Sequence, residues 1–88
     1  MNGRQSALRF PCEFPVKAMG RSDSGFEARA LEIVRRHVPD FEPGKMRAAA
    51  SREGNYLSVT FVIRAVSREQ LDALYRDLSA CEDTLMVL

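Results

Sequence analysis

The side chains best suited to covalent or metal chemistry are one histidine, His37, and two cysteines, Cys12 and Cys81. Nucleophilic catalysis needs a nucleophile, a base and an orienting group within hydrogen-bonding reach, and no such signature surrounds either cysteine. A zinc site needs several nitrogen, sulfur or oxygen ligands, usually in close pairs such as C-x-x-C, and this chain has none. The prediction is therefore no catalytic residue, no metal and no cofactor, with His37 packing or capping the end of a helix, where its charged form would favour the dipole. The segment nearest to a ligand cradle is Gly20-Arg21-Ser22-Asp23-Ser24-Gly25. Small residues ahead of a helix leave free N–H groups that attract anions. The spacing is neither a Walker loop nor G-x-G-x-x-G, and the same residues make an ordinary turn and helix cap. Gly20, Ser22, Asp23 and Gly25 are the candidate contacts for a small anionic or zwitterionic metabolite, with the turn as the plainer reading.

The elements that would hold this loop follow from hydrophobic period. Residues 1–10 have no period and are expected to be a loose leader, with one domain from 11 to 88. Phe14, Val16 and Ala18 alternate with Pro15, Lys17 and Met19, as in a strand that Gly20 is expected to end. Ser24 to Glu27 has capping-box spacing, and Phe26, Ala30, Ile33, Val34 and His37 then form a helical stripe bounded by Pro39. The Pro39–Gly44 stretch reads as an irregular loop with Phe41 pinned to the core. Lys45–Ala50 and Tyr56–Ala65 alternate and read as a hairpin, with Leu57, Val59, Phe61 and Ile63 facing inward. Ser67 to Gln70 repeats the capping spacing ahead of a stripe of Leu71, Leu74, Tyr75 and Leu78, with Arg68, Asp72 and Arg76 paired on the outer face. Thr84–Leu88 is apolar and short, a last strand.

The order βαββαβ points to an α+β ferredoxin-like sandwich: a four-stranded antiparallel sheet, order 4-1-3-2, with two helices on one face. That arrangement places Cys12 and Cys81 at opposite ends of the sheet. A five-residue strand spans about 17 Å, and a disulfide needs a Cα separation of about 4–7 Å, so no internal disulfide is expected. The arrangement also brings the 20–25 loop near residues 79–83. The other sheet face stays open, and Met19, Val62, Met86 and Leu88 are candidate interface residues there or on the last strand.

Composition narrows the partners. The 88 residues carry 13 basic and 12 acidic side chains, a net charge of +1, which argues against a dedicated nucleic-acid binder. RNA-recognition domains share the topology, but their third strand carries stacked rings, and here only Tyr56 stands where Ser58 and Thr60 follow. RNA binding is the minor reading. No apolar run is long enough for a membrane span or a signal peptide, which points to the cytoplasm.

Several segments carry a family resemblance: Phe10-Pro11-Cys12-Glu13-Phe14-Pro15-Val16-Lys17-Ala18-Met19-Gly20, Val34-Arg35-Arg36-His37-Val38-Pro39, Gly54-Asn55-Tyr56-Leu57-Ser58-Val59, Leu74-Tyr75-Arg76-Asp77-Leu78 and Met86-Val87-Leu88. From about residue 10 onward the chain resembles the YbeD-like family of small bacterial proteins of unknown function. The resemblance implies the ferredoxin-like fold, a likeness to ACT-type regulatory domains that sense amino acids, and a connection with lipoate metabolism, since family genes often sit near lipoyl-transfer genes. ACT domains bind small ligands near the loop after their first strand, often at a dimer interface, and carry an aspartate and a glycine there. Asp23 and Gly25 look similar, although the proline common in that pattern is absent. The expectation is a non-enzymatic ACT-like domain that binds a small metabolite or regulates a partner. The alternative is an interaction or dimerisation module, a homodimer included, that uses the open sheet face.

Overall fold

The computed structural model describes residues 8–88. Four strands, β1 (Cys12–Arg21), β2 (Met46–Ala50), β3 (Tyr56–Ala65) and β4 (Thr84–Val87), and two helices, α1 (Phe26–His37) and α2 (Arg68–Ala80), follow one another as βαββαβ. The sheet order is β2-β3-β1-β4, all neighbours antiparallel, which is the predicted ferredoxin-like arrangement. Residues 1–7 of the expected leader lie outside the described residues, while Leu8 and Phe10 pack against the core.

The core lies between the helices and one sheet face. Val16 and Ala18 of β1 and Val59, Phe61, Ile63 and Ala65 of β3 meet Phe26, Ala30, Ile33 and Val34 of α1 and Leu71, Leu74 and Leu78 of α2. Period two on the strands and period 3.6 on the helices each turn one apolar set the same way. Full burial of a side chain such as Phe61, Ile63 or Leu74 contributes about 1.5–3 kcal/mol. Phe41, in the Pro-rich loop, is buried as expected, its ring edge-on to Phe61 at a centroid distance of 5.7 Å.

The structure departs from the reading at four local points. First, β1 does not stop at Gly20 but runs on to Arg21, because β3 continues to pair with it as far as Tyr56. Second, α1 has no capping box. Its N-cap is Gly25, at φ 75°, and Ser24 instead donates its hydroxyl to the Arg21 carbonyl at 2.9 Å. A left-handed φ at that position costs glycine little and any other residue more. Third, Lys45 closes a short 3-10 turn (Pro43–Lys45) and does not open β2. The second capping site does form: Ser67 Oγ accepts from the Gln70 N–H at 3.0 Å. Fourth, no ion pair joins Asp72 to Arg68 or Arg76 among the described residues, so the outer face of α2 is solvated charge.

The two helices are tied where α1 ends. His37 Nε2 lies 2.7 Å from Asp77 Oδ2, and the Gln70 amide donates to the His37 carbonyl at 3.0 Å while its oxygen accepts from the Val66 N–H at 2.7 Å. One glutamine thus satisfies an orphan carbonyl at the end of α1 and a free amide just before α2. Proline at position 39 prevents α1 from continuing.

Candidate functional site

The loop Gly20–Gly25 and the segment 79–83 do meet at one end of the sheet, and they are joined by a side chain of α1. A Cβ built on Gly20 would lie 2.5 Å from Phe26 Cγ and 2.7 Å from the Asp83 carbonyl oxygen. Gly20 is glycine because the first ring of α1 packs directly on the strand. Ser22 turns away from the helix: its hydroxyl donates to the Gly54 carbonyl and its N–H to the Asn55 carbonyl at 3.1 Å, fastening the loop to the β2–β3 turn. Asp23 and Gly25 are exposed. Arg29, on the first turns of α1, bridges the two segments by pairing with Asp83 at 2.7 Å and donating to the Ser24 carbonyl. Four predicted contacts therefore have three directions: Gly20 inward under Phe26, Ser22 toward the hairpin turn, Asp23 and Gly25 into solvent. Arg29 and Asp83 were not singled out from the sequence. Their partnership spans most of the chain, and only the antiparallel pairing of β4 with β1 brings it about.

One shallow cleft lies between the two helices and another at one end of the sheet. The first, of about 600 Å³, runs from Arg29 and Arg36 to Asp77, Cys81 and Asp83. The second, of about 480 Å³, lies between Cys12, Glu13, Asp40, Phe41, Lys45 and Arg64. There Lys45 Nζ donates to Glu13 Oε2 at 3.1 Å, and that hydrogen bond, reinforced by the carboxylate charge, raises the lysine above its usual 10.5. The two cysteines are free, one beside each cleft.

The sheet face away from the helices is broad, and none of the described residues covers it. It carries Glu13, Pro15, Lys17, Met19 and Arg21 from β1, Arg47 and Ala49 from β2, and Tyr56, Ser58, Thr60, Val62 and Arg64 from β3, as the register and burial pattern require. All four predicted interface residues are on this side. Met19 lies directly opposite Met86, and Leu88 exchanges backbone hydrogen bonds with Lys17 at 3.3 and 2.7 Å, so these three form one apolar corner. Val62 lies opposite Pro15, four residues along β1 from Met19 and hence about 13 Å away, in a second apolar spot. Met86 is 50% exposed and Leu88 61%. Tyr75 of α2 donates its hydroxyl to the Leu88 carbonyl at 3.1 Å, and its partial burial raises its pKa above 10.0.

Comparison with known proteins gives the family. A profile described as protein of unknown function, DUF493, matches residues 5–88. The chain is 44% identical over 77 residues to the UPF0250 protein RSc0326 of Ralstonia nicotianae, a match covering 88% of this chain and 79% of that one. It is 46% identical over 74 residues to the UPF0250 protein NE1487 of Nitrosomonas europaea, covering 84% and 85%. The solution structure of protein HP0495 from H. pylori superposes with a TM-score of 0.73 at 11% identity, covering 92% of this chain and 85% of that one, and so shares the fold. Pairwise identity along most of the chain and the profile match together make this a member of the DUF493 family of small bacterial UPF0250 proteins, in agreement with the YbeD-like resemblance of its sequence.

Proposed function

We propose that this chain is a non-catalytic, ACT-like interaction domain, a regulatory module that engages a partner protein through the open face of its sheet. The supporting observation is a contrast in packing. The loop that would hold a small ligand is occupied by Phe26, by the Ser22 bonds to the hairpin turn and by the Arg29–Asp83 pair, whereas the sheet face exposes Met86, Leu88 and Tyr56, with none of the described residues over them. Apolar side chains grouped on one uncovered face mark contact surfaces more often than scattered ones do. The connection with lipoate metabolism implied by the family resemblance makes lipoyl-transfer enzymes the first partners to test.

A photo-crosslinking residue at Met86, compared with one at Glu32 on the exposed side of α1, tests this reading in cells. Discrete adducts from position 86 and none from 32 are expected; equal labelling, or none, counts against it. Titration with amino acids and lipoate-related metabolites separates it from the ligand-sensing reading. Amide shifts confined to 20–25 and 79–83 would move the working site to the loop.

A further inference from the structure

Every charged side chain within the four strands emerges on the open face: Lys17, Arg21, Arg47 and Arg64 as cations and Glu13 as the sole carboxylate. Glu13 is already bonded to Lys45 at the rim, and none of the four cations takes part in an ion pair among the described residues. The chain has 13 basic and 12 acidic residues, of which Arg4 lies outside the described ones, so four against one on this face leaves eight against eleven elsewhere among the described residues. A near-neutral sequence is thus folded into a basic sheet face and a slightly acidic remainder. The register sets the pattern. Arg47, Thr60, Lys17 and Leu88 lie in one row across the sheet, and Ala49, Ser58, Met19 and Met86 in the next. Cations, hydroxyls and thioethers therefore interleave at the spacing of a pleated sheet.

We propose that the open face binds an acidic protein segment in which carboxylates alternate with apolar side chains. This rests on the reading of that face as the working surface and names the chemistry of its partner. Carboxylates would meet Lys17, Arg47 and Arg21, with the Ser58 and Thr60 hydroxyls available as donors, while the apolar side chains cover Met19, Met86 and Val62. A second copy laid face to face would oppose cation to cation, which is unfavourable. Single-stranded nucleic acid would find one exposed ring, Tyr56 at the margin, where stacking surfaces need several.

The test follows amide shifts of the full chain during titration with three probes: a short peptide alternating Glu and Leu, its counterpart alternating Lys and Leu, and a short oligouridylate. The acidic peptide is expected to shift the amides of Lys17, Met19, Arg47, Ser58 and Thr60, and to bind more weakly as salt is added. The double substitution Lys17→Glu, Arg47→Glu should weaken it at least about tenfold, while Arg35→Glu on α1 leaves it unchanged. Both reversed residues are exposed, and retained amide dispersion verifies the fold. Tighter binding of the basic peptide, or response to oligouridylate alone, overturns the acidic-segment proposal but leaves the face as an interaction surface. No response at the face to any probe, together with absent cross-links from position 86, overturns both.

Discussion

At the scale of single residues, packing assigns roles that residue type alone leaves open. Gly20 and Gly25 look alike in the sequence, yet one is glycine for lack of room and the other for its backbone angle. Gly20→Ala should cost about 1–3 kcal/mol, since the methyl group would meet both a ring and a carbonyl, and thermal denaturation would show it as a fall in Tm of several degrees. An unchanged Tm would mean that α1 does not rest on β1 as described. Tyr75 gives a pH-dependent readout. Burial disfavours its phenolate, so the near-ultraviolet phenolate absorbance lost in Tyr75→Phe should titrate with a midpoint above 10.0. The unfolded chain loses this proton at lower pH than the folded one, so the tyrosine's contribution to stability is complete below 10.0 and declines as pH rises toward its folded value. The candidate contacts of the loop were legible as small and polar residues. Their separate directions were not, because Ser22 and Asp23 differ only in which distant backbone lies beside them.

At the scale of elements, two segments with the same capping spacing behave differently. Ser67 caps α2, whereas Ser24 lies one residue too early and bonds back to Arg21, because the left-handed Gly25 redirects the chain between them. Ser67→Ala should therefore cost about 1 kcal/mol, and Ser24→Ala less than about 0.5 kcal/mol. Equal losses of Tm in the two variants would contradict these cap assignments. The strands were more legible than the caps. The bounds of β3 follow from alternation alone, since both of its neighbours pair along it and any slip would turn Phe61 out of the core. Phe61→Ala should cost about 3–5 kcal/mol by denaturant unfolding, a large part of the stability of so small a domain. The extension of β1 to Arg21 had no local signal, because glycine usually marks a turn and only pairing with Tyr56 keeps the strand going.

At the scale of the whole molecule, sheet order decides what meets what. With β4 antiparallel to β1, Cys12 and Cys81 belong to opposite ends, so both thiols should be alkylated after denaturation without reductant, even following mild oxidation. An intramolecular disulfide in the monomer, seen as two unmodified cysteines by mass, would refute the strand order. The order of elements, the identity of the core and the family were determined by the sequence, because hydrophobic period is a local property and topology rules leave few ways to bury two helical stripes on one sheet. Only the tertiary structure decided that the 20–25 loop is filled by its own neighbours, that Arg29 takes Asp83, and that Arg47 of one strand and Lys17 of another lie in one row across the open face. Each of those facts joins residues far apart in the chain, and their proximity exists only once the strand register has been set.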